Sequence, residues 1–253
     1  MRHGSCLCGA VTFTVEGKPR DVLLCHCTQC RRTSGHFWAA AGADHGTLTV
    51  TKDESLVWFQ SSAKARRGFC GQCGSSLFWE EFGGDHISFA AGALDGPTGL
   101  QVIGEWHLAD AGDYYTQPKP APDALDCGCL CGSVQFQVPG PAGDVTACHC
   151  TQCRKYSGHY AASFDVDESA VQWVAKGALR EFTSAGGGQR GFCGKCGSGL
   201  YFRKPGQEFN IEAGCVKGPS GGRLTAHIFV ADKGDYYTIS DGLPQHQGDL
   251  PLA

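Results

Sequence analysis

The chain has 253 residues, 42% of them hydrophobic, which suffices for ordinary globular cores and excludes a disordered polypeptide. Its net charge of −4 and sequence pI of about 6.2, with no basic run, argue against nucleic acid or an anionic membrane as the main partner. Thirty-seven glycines against a single methionine favour a turn-rich β protein over a helix bundle, because glycine weakens helix interiors.

In chain order, Cys6-Leu7-Cys8 comes first, followed by an alternating apolar–polar run at residues 10–16 that reads as a half-buried strand. Cys25-His26-Cys27-Thr28-Gln29-Cys30-Arg31 then sets three thiols within six residues. Residues 39–41 are an alanine run of ambiguous type, and residues 47–50 and 56–59 read as strands. The pair Cys70-Gly71-Gln72-Cys73 is followed by strands at 76–79 and 86–90, and the unit closes on Gly112-Asp113-Tyr114-Tyr115. No long amphipathic helix is evident.

The series then repeats. Cys6 and Cys129, Cys25 and Cys148, Cys30 and Cys153, and Cys70 and Cys193 share one offset of 123. Gly234-Asp235-Tyr236-Tyr237 repeats the closing motif at an offset of 122. Matching strands are expected at 133–138, 170–174, 179–182, 199–202 and 209–213. The expected organisation is a unit at residues 1–116, a proline-rich extended linker at 117–123, a second unit at 124–240 and a loosely held tail at 241–253. Duplication suggests an internal two-fold pairing of the units, a pseudo-dimer.

Sixteen cysteines need either an oxidising compartment or a metal. The N-terminal Met1-Arg2-His3-Gly4-Ser5-Cys6 has no apolar signal segment, and no stretch approaches the roughly 20 apolar residues of a membrane span. A cytoplasmic location is therefore expected, with clustered Cys-x-Cys and Cys-x-x-Cys pairs binding metal, most simply zinc. The seven repeated thiols of each unit divide as four plus three. Cys6, Cys8, Cys70 and Cys73, and likewise Cys129, Cys131, Cys193 and Cys196, can close a tetrahedral structural zinc site. Cys25, Cys27 and Cys30, and Cys148, Cys150 and Cys153, are left one ligand short, so the chain holds up to four Zn2+, two with an open position. Alternatively, His26 or His149 completes a closed site.

Other residues carry two readings each. Arg31, Arg154, Arg67 and Arg190 are either anchors for a carboxylate or packing residues. Trp38 has Ala161 as its counterpart and Thr33 has Tyr156, so the units differ in specificity if those positions line pockets. Cys127 and Cys215 lie outside the repeat and are expected to be buried thiols. The Gly-Asp-Tyr-Tyr motifs read as structural, with the aspartate capping a turn.

The succession Gly4-Ser5-Cys6-x-Cys8-Gly9, Cys25-His26-Cys27-x-x-Cys30-Arg31-x-x-x-Gly35 and Phe69-Cys70-x-x-Cys73-Gly74-Ser75 resembles the glutathione-dependent formaldehyde-activating (GFA) family, or CENP-V/GFA domain. Cys129, Cys131, Cys148, Cys150, Cys153, Cys193 and Cys196 carry the same resemblance in the second unit. It implies two tandem Mss4-like (β-tent) units, mainly β, with a structural zinc on the outer four cysteines and a catalytic one on the triple. It also implies carbon–sulfur lyase or transferase chemistry on a small thiol–aldehyde adduct such as S-hydroxymethylglutathione, with glutathione and formaldehyde as partners. The family's His-Ile motif is matched by His227-Ile228, whereas in unit one His107-Leu108 lies nearer the closing motif. The rival expectation is a zinc-stabilised binding module without catalysis. A methionine sulfoxide reductase would need a reactive thiol outside the metal groups, and only Cys127 and Cys215 remain for that.

Overall fold

The computed structural model describes residues 1–206 and 208–251. The first half contributes β1 (Arg2–Ser5), β2 (Thr12–Val15), β3 (Arg20–Cys25), helix α1 (Thr28–Ser34), β4 (Trp38–Asp44), β5 (Leu48–Lys52), β6 (Leu56–Gln60), β7 (Ala65–Cys70), β8 (Ser76–Glu81), β9 (His86–Ala90) and β10 (Val102–Trp106). The second half repeats them as β11 (Ala124–Gly128), β12 (Gln135–Pro139), β13 (Asp144–Cys148), α2 (Thr151–Ser157), β14 (Ala161–Val166), β15 (Gln172–Ala175), β16 (Leu179–Thr183), β17 (Gln189–Cys193), β18 (Gly199–Arg203), β19 (Phe209–Glu212) and β20 (Arg223–Ile228). Each half has a three-stranded sheet, β1-β2-β5 or β11-β12-β15, and a seven-stranded sheet, β10-β3-β4-β9-β8-β7-β6 or β20-β13-β14-β19-β18-β17-β16. The protein is thus mainly β and duplicated, as expected. Among the described residues no helix is long and apolar enough to cross a membrane.

The two sheets of a half meet through alternating strand positions. Phe13 of β2 turns inward against Phe78 of β8 and Phe89 of β9, with ring centroids 5.1 and 5.6 Å apart. The alanine run lies in β4, between β3 and β9, where nearly every residue is buried. Alanine favours helix intrinsically, and pairing on both edges overrides that preference.

The halves are clasped reciprocally. The carboxylate of Asp113 accepts from Ser220 N–H (3.0 Å), Ser220 Oγ–H (2.8 Å) and Gly221 N–H (2.9 Å) of the opposite half. Asp235 mirrors it, accepting from Thr98 N–H (2.8 Å), Thr98 Oγ1–H (2.7 Å) and Gly99 N–H (2.8 Å). The aspartates do cap turns, but across the duplication. The ends of α1 and α2 dock in the same way: Gly214 N–H donates to Gly35 O (2.7 Å) and Gly92 N–H to Gly158 O (2.9 Å). A Cβ at Gly214 would stand 2.3 Å from Arg31 O, so only glycine permits this approach. Asp113→Ala strips a buried Ser220 of its acceptor, and we expect it to lower stability by about 3 kcal/mol. An unshifted urea midpoint would refute the clasp.

The tail departs from expectation. Rather than lying loose, it runs along the outer edge of β20: His227 N–H donates to Pro244 O (2.9 Å), His246 N–H to His227 O (2.8 Å), Phe229 N–H to Gly248 O (2.8 Å) and Val230 N–H to His246 O (3.0 Å). An edge strand leaves a row of unpaired backbone groups, and this polar segment satisfies them.

Candidate metal centres

The outer cysteines of each half converge from the turn after the first strand and the turn after β7 or β17. Cys6, Cys8, Cys70 and Cys73 place their sulfurs within 4.8 Å of one another, as do Cys129, Cys131, Cys193 and Cys196. The Cys6–Cys8 and Cys8–Cys70 sulfur separations are 3.5 and 3.8 Å, repeated as 3.5 and 3.8 Å in the second half. A tetrahedral metal with sulfur bonds of about 2.3 Å requires sulfurs about 3.8 Å apart, so the donor set fits zinc. Val11 N–H lies 3.2 Å from Cys6 Sγ, and Ser75 Oγ 3.2 Å from Cys73 Sγ. Gly9 and Gly74 supply the left-handed turns (φ 74° and 79°) that bring these groups round. Hydrogen bonds from Cys6 and Cys70 pull Cys73 down to about 7, while those with Cys6 and Cys73 push Cys70 up. Four thiols this close cannot all ionise without a cation among them.

The inner cysteines sit where β3 passes into α1, and β13 into α2. Cys25, Cys27 and Cys30 form one group and Cys148, Cys150 and Cys153 the other, each with its sulfurs within 4.8 Å. The helix, unseen in the sequence because it is only seven residues long, is capped by a ligand candidate: Cys27 Sγ accepts from Cys30 N–H at 3.4 Å. Cys150 does the same for Cys153. Hydrogen bonds from Cys148 and Cys153 lower Cys150 to about 2, and the free N–H groups of the helix start also favour its thiolate.

Arg67 and Arg190 are buried beside the third sulfur of each triple. Arg67 reaches Cys30 Sγ at 3.5 Å and Gln29 Oε1 at 3.4 Å, and Arg190 reaches Cys153 Sγ at 3.8 Å and Gln152 Oε1 at 3.2 Å. Of the two roles open in sequence, packing against the sulfur group is the one observed. Replacing Arg190 with Met removes a positive charge from a buried thiolate, so metal affinity at Cys148, Cys150 and Cys153 should fall about tenfold or more. Chelator competition that proceeds as in the parent protein would contradict this.

His26 and His149 turn away from the sulfurs. His26 Nδ1 is 3.0 Å from Tyr115 Oη, and His149 Nδ1 is 2.6 Å from Tyr237 Oη. In the second half the network continues from His149 Nε2 to His227 Nδ1 (2.9 Å) and from His227 Nε2 to Asp241 Oδ2 (2.8 Å). The Asp241 carboxylate accepts from His227 Nε2–H. Burial and then His227 lower His149 to about 3, keeping it neutral. In the first half Glu105 Oε2 lies 3.3 Å from His26 Nε2.

Strand register corrects the sequence comparison here. β10 sets Trp106 opposite Cys25, and β20 sets Ile228 opposite Cys148. Glu105 is therefore the counterpart of His227, while His107 matches Phe229, both left-handed (φ 59° and 54°). The other tyrosines bind a second histidine pair, His36 Nδ1–Tyr114 Oη (2.6 Å) and His159 Nδ1–Tyr236 Oη (2.8 Å). A cavity of about 550 Å³ opens between the halves against Phe37, Glu105, His159, Tyr160, His227 and Tyr237. Sequence reasoning did not gather these residues, although Gly35-His36-Phe37 recurs as Gly158-His159-Tyr160.

Trp38, Ala161, Thr33 and Tyr156 do not line that cavity. The Trp38 ring packs over Gly158, and the Tyr156 hydroxyl donates to Gly191 O. The units differ at the cavity instead through Phe37 against Tyr160 and Glu105 against His227. Cys127 and Cys215 are buried and outside the four sulfur groups.

Glu212 is a further buried carboxyl, pressed against Gly35 of the opposite half, with Oε2 lacking a protein partner among the described residues. Burial raises it to about 7 against the opposing pull of Arg190. Because the folded pKa lies above the unfolded one, its stabilising contribution is full below about pH 4.5 and is lost as pH rises through about 7. Glu212→Gln should flatten the decline of stability between those pH values, worth about 3 kcal/mol. Identical slopes for the two proteins would count against it.

A family model described as glutathione-dependent formaldehyde-activating enzyme matches residues 1–109 and again 124–232. A Halomonas elongata protein named "Putative glutathione-dependent formaldehyde-activating enzyme" is 34% identical over 86 residues, 31% of this chain and 55% of that protein. An uncharacterized lyase of Schizosaccharomyces pombe is 30% identical over 88 residues, 34% of this chain and 63% of that protein. The matches thus span somewhat over half the length of these relatives. A crystal structure of a Rhodobacter sphaeroides protein is similar at 28% identity and a TM-score of 0.33, covering 41% of this chain and 98% of that one.

Proposed function

Because the chain belongs to the glutathione-dependent formaldehyde-activating (GFA) family, we propose that it is a zinc-dependent carbon–sulfur lyase or transferase acting on a small thiol–aldehyde adduct such as S-hydroxymethylglutathione. In the synthetic direction the thiol sulfur bonds to the aldehyde carbon, and the thiol proton ends on the former carbonyl oxygen. The reading rests on one contrast: each half gathers one group of four cysteine sulfurs and one of only three. On this proposal Cys6, Cys8, Cys70 and Cys73, with Cys129, Cys131, Cys193 and Cys196, hold structural zinc, and the two triples hold zinc with a free position. Zinc in such a position supplies Lewis acidity to a bound sulfur or oxygen.

The chain's own residues do the rest. Cys27 and Cys150 hold thiolate at helix starts, Arg67 and Arg190 offset the charge of the third sulfur, and the neutral histidines orient tyrosine hydroxyls beside the triples. The reciprocal aspartate contacts support a pseudo-dimer of units at residues 1–116 and 124–240, joined by 117–123 and followed by a tail at 241–253. Sixteen free cysteines support a reducing compartment such as the cytoplasm. Exchange NMR on ¹³C-formaldehyde with glutathione tests the activity. Faster exchange with the protein than without it is expected. No acceleration with glutathione or any other small thiol would leave a zinc-stabilised binding module.

A further inference from the structure

The two halves differ at one sheet edge. In the second half the outer edge of β20 is covered by the tail, which runs parallel to it with Gln245 opposite His227. Its first-half counterpart, β10, is also an edge strand, and no described segment continues along it. Val102 N–H is taken by Tyr236 O, after which, among the described residues, no other segment pairs with the outer edge from Ile103 to Leu108, and His107 O and Leu108 O accept only locally, from Asp110 and Ala111 N–H. The exposures record the difference. Leu108 is 57% exposed where its counterpart Val230 is 8%, and Ile103 and Trp106 on the same strand are 57% and 56% exposed. Glu105 is exposed where His227 is 2% exposed, and among the described residues its backbone has no partner like those that Pro244 and His246 give His227.

We propose that the β10 edge is a strand-addition surface for an extended segment of a different protein, bearing a lysine or arginine where this chain's own tail bears Asp241. The covered half shows the form of the occupant. Its tail presents Asp241 to His227 and then pairs its backbone with the strand three residues later. At the uncovered edge the facing group is the Glu105 carboxylate, so the occupant's charge there must be positive. The tail of a second copy would set Asp241 against Glu105, two like charges at one site. Backbone pairing supplies the affinity in this mode of binding, and alternate side chains supply the choice of partner. The exposed Ile103, Trp106 and Leu108 require apolar residues in the segment that covers them. The inference is independent of the metal and of the reaction proposed above.

The probes are two synthetic peptides of residues 240–250 of this chain, one unchanged and one carrying D241K, titrated into the ¹⁵N-labelled full chain. The D241K peptide is expected to shift the amides of residues 103–108 and to bind about fivefold tighter than the unchanged peptide. Glu105→Gln should erase the preference and Glu105→Lys should reverse it. Both replace an exposed side chain, and their amide spectra report the fold directly. Equal affinities, shifts confined to residues 224–230 where the tail already sits, or no shift with either peptide would overturn the proposal.

Discussion

Cys70→Ala is expected to unfold the first half at ambient temperature, and Cys193→Ala the second. Each residue closes a four-sulfur group that ties the turn after the first strand to the turn after β7 or β17, some 60 residues on. Zinc bound by such a set contributes on the order of 10 kcal/mol to folding, comparable with the whole stability of a small domain. The reciprocal aspartates then lose their turns, so the damage spreads to the intact half through Asp113 or Asp235. A circular dichroism melt that matches the parent protein would show that the outer cysteines carry no metal of structural weight.

Cys27→Ser combined with Cys150→Ser should lower turnover roughly a thousandfold, the scale of losing a preorganised charge-stabilising group, while the protein stays folded. Serine is a preferred helix cap, so its oxygen can accept the amide proton that the sulfur accepts from Cys30 or Cys153. Chemistry and fold are thus separable at these two positions, as they are not at Cys70. Turnover equal to that of the parent protein would discard the inner triples as the reacting centres.

The cysteine groups were legible because short spacings constrain thiols whatever the fold, and the repeat was legible because one offset aligned seven cysteine pairs. What escaped the sequence depends on backbone pairing and on contacts between the halves. β3 and β7 contain charged residues or glycine and do not alternate cleanly, yet their neighbours bury part of each, while β10 is an edge strand with no buried face to leave a pattern. α1 is too short for a periodic pattern, and its start is fixed by a sulfur cap. The tail pairs through its backbone, which leaves no mark in side-chain pattern. Glu105 stands at the closing-motif offset of 122 from His227, but the two side chains share no chemistry, whereas His107 matches His227 in residue type at an offset of 120 that the strand register does not support. Trp38 stood out in sequence as an unmatched aromatic. It fills the space over Gly158 at the junction of the halves, a contact with no local signature.

X-ray absorption at the zinc edge, read together with the zinc content of the purified chain, bears most directly on the unequal division of sulfur. Four zinc ions per chain with an average of about 3.5 sulfur neighbours each are predicted from two groups of four and two of three. Two zinc ions with four sulfurs each, leaving the inner triples without metal, would contradict it.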